Sequence, residues 1–596
     1  MAGSVAARIA ERLVEEGVAV VFTVPGEQID ALLGELARAG VRLVHTRHEQ
    51  AAAMMAYGYA RSTGRVGVFA CVSGPGVLYS SAGLALGYAG DARMLCLAGQ
   101  IPTAAIGRGH GLPHELPDQL GILRRLTGWS ERLDRPERTD TVLTEAFHRL
   151  RHGRPRPVAV EIPMDVLTAQ AIPQAAETTD RATPQATAET TNQTAAQATT
   201  EAMARATAQA TTRTTAQVAP QASTQATTQA PALDPRPASP VGPDPAPDPD
   251  ALRRARAMLG QAESPLIFVG SGAREAGAEV LRLARLLQAP VTADTGGRGI
   301  VPDDHELALP LLAAQRLWPR TDVVLAVGTR LMRPQARWGT HDRLKVIRVD
   351  LDAAELDRVA APAVGIVADA AETVRALADG IPAQPPRTRW QAAVRDARDR
   401  TAADVSRLVP QLDHLAAIRA ALPADGFFVE ELTQVGIAAR LAFPVLRPYT
   451  YVISTYQECL GFGFATALGV QVANPGKAVL SVSGDGGFLY TSNELATAVL
   501  HRIPVVAVVF NDNAYGNVAR SQRNRFGHSV ATELLNPDLV RLAEAFGAYG
   551  VRVKTPDDLR GEIEAAFARG GPPTVIEVPV GEMPSPWPLI HRRQEP

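Results

Sequence analysis

The stretch Ser483 to Gly516, SGDGGFLYTSNELATAVLHRIPVVAVVFNDNAYG, holds the residues best suited to chemistry in this 596-residue chain. Gly484-Asp485-Gly486-Gly487 follows the apolar residues Val479, Leu480 and Val482, and Asn511-Asp512-Asn513 follows the run Pro504 to Phe510 (PVVAVVF). Glycines let a backbone approach a phosphate closely, and a carboxylate is a hard oxygen ligand for a small divalent cation. The two acids lie 27 positions apart (512 − 485), one helix plus one strand. Asn493 to His501 has helical composition, and PVVAVVF reads as a central parallel strand. Adjacent strands of a βαβ unit point the same way, about 5 Å apart. Asp485 and Asp512 are therefore expected together at the carboxyl edge of a sheet, where open α/β folds bind ligands. Two carboxylates, a backbone carbonyl and diphosphate oxygens would make a Mg²⁺ site. A lone GDG is more often a turn with a solvated acid; the spacing argues against that here.

The elements that must position these groups fall into three α/β units. Residues 1–172 alternate apolar runs (VAVVFTV, VRLVHT, VGVFACV, RMLCLAG) with helical stretches such as EQAAAMMAYGYARSTG. Residues 250–384 repeat the pattern with PLIFVGSG, PVTADT, DVVLAVGT and KVIRVDLD, and residues 385–596 carry the acid pair. Each unit reads as a doubly wound parallel sheet. Between the first two, residues 173–249 turn to Ala, Thr, Gln and Pro, a composition expected of a disordered low-complexity interdomain linker.

This organisation and the GDG…Asn-Asp pair resemble the thiamine-diphosphate enzymes, specifically the large subunit of acetolactate synthases. The resemblance covers the chain except the linker. It implies that Asp485, Asp512 and the carbonyl of Ala514 hold Mg²⁺. It also implies that Gly484, Gly486, Gly487, Asn511, Tyr515 and Gly516 line the thiamine diphosphate. One departure stands out: the second residue of the family's Asn-Asn pair is Asp512, whose extra charge should tighten the metal.

In the first unit, Arg47-His48-Glu49 follows VRLVHT and opens a helix. On its own Glu49 suits a helix N-terminus. The resemblance makes it the glutamate that contacts the aminopyrimidine ring and favours the imino tautomer, whose imine then serves as base. That work suits a carboxyl whose pKa burial has raised. His48 reads as a structural neighbour. Pro25-Gly26-Glu27-Gln28 and Ser73-Gly74-Pro75-Gly76 follow two of the strands and are expected at the pocket. Benzaldehyde lyase, a relative in this family, carries a catalytic histidine where Gln28 stands; glutamine cannot shuttle a proton at neutral pH. Within GRGHGLPHELPDQ, acetolactate synthases place Phe-Gln-Glu where this chain has His114, Glu115 and Leu116. His114 is a candidate proton relay, with His110 second.

In the third unit, Leu460 precedes Gly461-Phe462-Gly463, the place where the family wedges an apolar residue between the two cofactor rings; the alternative is an ordinary core leucine. Gln457 and Glu458 are expected to contact the cofactor nearby. The tail Met583-Pro584-Ser585-Pro586-Trp587 suits either a lid or a surface-packed end. In the middle unit, Gly270-Ser271-Gly272 is a weak nucleotide signal. After Gly328-Thr329-Arg330 the chain has Leu331-Met332-Arg333-Pro334 instead of the flavin-binding Phe-Asp-Asp-Arg, so FAD is possible but not favoured.

A net charge of −2 and 5% aromatic residues give no basis for a nucleic-acid partner. Cys71, Cys96 and Cys459 form neither a CxxC pair nor an even set, which points to a reducing cytoplasm. No apolar run suits a signal peptide or a membrane span. The expected function is a thiamine-diphosphate and Mg²⁺-dependent 2-oxo acid decarboxylase or carboligase. The resemblance implies a homodimer or homotetramer, because the family's cofactor bridges two subunits. The alternatives are a benzaldehyde-lyase-like acyloin lyase, a simple decarboxylase, or a non-catalytic cofactor-binding protein, which would be expected to have lost Glu49 or the acid pair.

Overall fold

The computed structural model describes residues 3–172 and 245–591. Most of the linker expected over 173–249 lies outside the described residues. The helix Pro249–Gln261 opens the second unit, capped by the Asp248 side chain.

Three all-parallel sheets follow one another along the chain. The first contains β1 (Val20–Thr23), β2 (Arg42–His45), β3 (Gly67–Cys71), β4 (Met94–Gln100), β5 (Trp129–Arg132) and β6 (Val158–Pro163), in the order β2-β1-β3-β4-β6-β5. The second contains β7 (Pro265–Val269), β8 (Val291–Ala293), β9 (Val323–Val327), β10 (Lys345–Asp350) and β11 (Val364–Val367), in the order β11-β10-β9-β7-β8. The third contains β12 (Phe427–Glu430), β13 (Tyr451–Ile453), β14 (Val479–Gly484), β15 (Val506–Asn511), β16 (Tyr549–Arg552) and β17 (Thr574–Pro579), in the order β13-β12-β14-β15-β17-β16.

Both faces of each sheet are covered, so the central strands are apolar on both sides. In β3, Phe69 and Cys71 join one core while Val68 and Ala70 join another. In β9, Leu325 and Val327 alternate in the same way with Val324 and Ala326. The doubly wound parallel architecture is therefore as expected. The edge strands β5 and β16 (WSER and YGVR) carry too little apolar residue to announce themselves in the sequence. The helix expected over Asn493–His501 is a 3₁₀ turn, Ser492–Glu494, followed by the short helix Leu495–Leu500.

One apolar core is shared by the first and third units. Its centre is the crossing of the helix Glu49–Thr63 with the helix Phe462–Ala473. Backbones meet there: a Cβ on Gly58 would overlap the Thr466 carbonyl, and one on Gly469 would overlap the Met55 carbonyl. Each helix begins at a segment singled out for chemistry, Glu49 in one case and Leu460-Gly461 in the other.

Candidate active site

β14 and β15 pair in parallel with Gly484 opposite Phe510, so Asp485 and Asn511-Asp512 leave the sheet side by side. Asp485 opens the helix Asp485–Tyr490 and is 1% exposed. Burial, and then the neighbouring Asp485 charge, push the Asp512 carboxyl up to about 6. Two like charges this close need a proton or a cation between them. The pair is held from outside its own loops. Asn536 Nδ2 donates to Asp485 Oδ2 (2.6 Å), Asn511 Oδ1 (3.0 Å) and Asn513 Oδ1 (3.2 Å). Gln434 Nε2 donates to Asp512 Oδ2 (3.1 Å). The glycines leave no room for side chains. A Cβ on Gly486 would strike the Tyr515 ring, one on Gly487 the Glu431 carboxylate and one on Gly516 the Asp512 carboxylate. Asn511 is committed inward, with Nδ2 donating to Glu577 Oε1 (2.9 Å).

Leu460 is 44% exposed, which rules out the ordinary core leucine. Gly461 beside it has φ 77°, a left-handed conformation that suits glycine. The buried Glu431 carboxylate accepts the N–H groups of Gly461 (2.7 Å) and Gly463 (3.2 Å). Burial pushes Glu431 up to about 7. One side chain thus stitches the start of the Phe462–Ala473 helix to the Gly487 turn. Glu458 accepts from Arg440 (3.0 Å), which also binds Glu430 (3.1 Å). Gln457 is exposed, and Cys459 is half-buried with its thiol pushed up by burial.

In the first unit, Glu49 is 8% exposed, and no side-chain hydrogen bond engages it among the described residues. The His48 ring caps the helix, its Nδ1 accepting from Gln50 N–H (3.1 Å). The Gly76 turn passes against the Glu49 carboxyl; a Cβ there would lie 3.6 Å from Oε1. Gln28 is buried beneath Gly99. His114 is half-buried with φ 68°, and its buried Nδ1 has no hydrogen-bond partner among the described residues. The His114 carbonyl lies under Gly74, whose N–H donates to Gln119 Oε1 (2.7 Å). Glu115 folds back on its own loop, accepting from Leu112 N–H (2.9 Å).

Gln28, Glu49, Gly74 and His114 therefore follow strands of one sheet, and Asp485, Asp512, Tyr515 and Leu460 gather around another. No hydrogen bond or ion pair joins Glu49 to Asp485 or Asp512 among the described residues. Sequence reasoning missed Asn536, Gln434 and Glu431. Each is an isolated polar residue brought in by the fold, with no local spacing to mark it.

In the middle unit, Gly272 and Gly328 approach too closely for a side chain on either, and Asp350 at the end of β10 lies 3.8 Å from Arg348 and 3.9 Å from Arg154. Among the described residues, no helix is long and apolar enough to cross a membrane, and all three cysteines are free.

Residues 3–122, 252–377 and 432–578 match, respectively, the N-terminal TPP binding, central and C-terminal TPP binding domains of the thiamine pyrophosphate enzymes. The chain belongs to this family. Thiamine pyrophosphate is the thiamine diphosphate of the sequence analysis. Similarity to individual thiamine pyrophosphate enzymes extends over nearly the whole chain. A probable 2-ketoarginine decarboxylase of Pseudomonas aeruginosa is 30% identical over 95% of this chain and 92% of its own length. A probable acetolactate synthase large subunit of Methanocaldococcus jannaschii is 28% identical over 95% and 90%. The acetolactate synthase large subunit of Haemophilus influenzae is 26% identical over 98% and 95%. The protein is a thiamine-pyrophosphate-dependent enzyme of the acetolactate synthase and 2-ketoarginine decarboxylase type, acting on C–C bonds of small molecules.

Proposed function

We propose that this enzyme is a Mg²⁺-dependent decarboxylase and carboligase of 2-oxo acids. The observation that carries the proposal is the neighbouring pair Asp485, buried, and Asp512, half-buried, with Asp512 pushed up to about 6 by burial and its neighbour. The residues fit a divalent cation. Two hard oxygen donors face each other, Asn536 and Gln434 fix one oxygen of each, and the Ala514 carbonyl would complete the protein's share. The glycine turn at Gly486-Gly487 suits a diphosphate on that cation.

Bound thiamine diphosphate supplies the carbon nucleophile and the electron sink that decarboxylation needs. The chain supplies the rest. Glu49 presents a buried carboxyl to the aminopyrimidine end. Leu460 offers an exposed apolar side chain for the cofactor to bend around. His114, with an unpartnered buried Nδ1, stands ready to hold or move a proton near the substrate.

Two copies share each site, with Glu49 from one and Asp485 and Asp512 from the other. The support is that no side-chain hydrogen bond engages Glu49 among the described residues, while Leu78 and Tyr79 on the neighbouring helix Pro75–Ala89 are 44% and 53% exposed. FAD is not part of the proposal; visible absorbance of the purified protein decides it.

The test is product analysis with thiamine diphosphate, Mg²⁺ and pyruvate, an aromatic 2-oxo acid or a guanidino 2-oxo acid, with and without an acceptor aldehyde. Carbon dioxide release with acyloin or acetohydroxy acid products is expected, and both metal and cofactor should be required. Well-folded protein that takes up cofactor yet turns over none of these would overturn the reading. Decarboxylation without carboligation is the second reading, favoured by the 30% identity to the probable 2-ketoarginine decarboxylase. Release of aldehyde alone would support it.

A further inference from the structure

Glu494 is fully buried on the 3₁₀ turn Ser492–Glu494, nine positions after Asp485. Its carboxylate does not serve its own domain's sheet. Both oxygens accept the main-chain N–H of Arg47 in the first unit, at 3.0 and 3.2 Å. Thr497 Oγ1 donates to Oε2 at 2.6 Å and fixes the rotamer. No ion pair within 4 Å engages Glu494 among the described residues. Burying a carboxyl group without a cation beside it is costly, a cost that apolar packing would avoid. What it holds is the turn that ends two residues later at Glu49. The rest of that turn is braced locally, by Thr46 Oγ1 to the His48 carbonyl (3.0 Å) and by the His48 cap.

We propose that Glu494 is a positioning residue that fixes the Arg47–His48 turn from the neighbouring domain and so aims the Glu49 carboxyl. The inference rests on the role given above to Glu49. Because the Asp485 loop and Glu494 are joined by one short helix, the metal loop of a chain is tied to that chain's own Glu49. With sites shared between copies, that Glu49 serves the partner's cofactor, and Glu494 becomes a physical link between the two sites of a dimer.

The test uses the full-length protein with Glu494→Gln, Glu494→Ala and Thr497→Val. In cofactor-free protein, amide hydrogen exchange over Thr46–Gln50 should rise by about tenfold or more in Glu494→Ala. In loaded protein, kcat should fall about tenfold to a hundredfold, while KM and the calorimetric Kd for thiamine diphosphate with Mg²⁺ stay within about threefold. Exchange of the cofactor's acidic C–H proton, read by NMR, should slow in step with kcat. Thr497→Val and the isosteric Glu494→Gln, which turns one acceptor into a donor facing the Arg47 N–H, should show smaller losses in the same direction. They carry the test if the alanine variant does not fold. Unchanged amide exchange over Thr46–Gln50 overturns the inference, as does an activity loss that tracks lost cofactor affinity. Wild-type protein without Mg²⁺-dependent cofactor uptake would instead sink the earlier reading, and this one with it.

Discussion

At the scale of single residues, the site sets acids in unlike surroundings, and the proposal gives them unlike tasks. Among the described residues no side-chain hydrogen bond engages Glu49, whereas Asp485 and Asp512 are pinned by Asn536 and Gln434. Glu49→Gln should lower kcat by about a hundredfold to ten-thousandfold, with an unchanged urea midpoint. Asp512→Asn removes one of two facing charges, and calorimetry should show Mg²⁺ binding weakened about tenfold in an enzyme that still works. Glu431 gives a pH prediction. Its folded-state value of about 7 lies above its ordinary 4.5, so the folded state favours the protonated form. Its stabilising contribution is complete below the lower value and is lost as pH rises through the upper one. Relative to Glu431→Gln, the wild type should lose up to about 3 kcal/mol between about pH 5 and about pH 8, read from urea unfolding. Glu49, Asp485 and Asp512 were legible because each follows a strand within a motif. Glu431 was not: an isolated acid after an apolar run looks the same whether it faces solvent or a glycine turn.

At the scale of elements, the helices Glu49–Thr63 and Phe462–Ala473 cross with their backbones in close approach at Gly58 and Gly469. The crossing holds the helix that begins at Glu49 against the one that begins beside Leu460. Glycine inside a helix costs about 1 kcal/mol relative to alanine, so Gly469→Ala on an uncrowded surface would stabilise. Here the added methyl meets the Met55 carbonyl, which is backbone and cannot swing away. Gly469→Ala should lower unfolding stability by about 1–3 kcal/mol, measured by urea denaturation, and should weaken activity by shifting Glu49. The sequence marked both helices by their composition. It could not show that Gly58 and Gly469 face opposing carbonyls, since that depends on the crossing point of two segments some 400 residues apart.

At the scale of the whole molecule, the two halves of the site lie on different units of one chain and are proposed to meet in a dimer. Sedimentation should show at least a dimer. Glu49→Gln and Asp485→Asn homodimers should each be nearly inactive, and co-refolded mixtures should recover activity, because a mixed dimer rebuilds one site from two intact halves. A mixture that stays inactive would mean each chain builds its own site. The sequence by itself determined the local matters: three parallel sheets from alternating apolar runs and helices, the glycine turns, and the acids that follow the strands. Backbone sterics and hydrophobic periodicity act over a few residues, so they can be read in order along the chain. The tertiary structure alone decided which distant groups serve those acids: Asn536 on Asp485, Gln434 on Asp512, and Glu494 on the turn before Glu49. Such contacts come from packing of whole units, and a lone polar side chain carries no periodic signal of the partner that burial will impose on it.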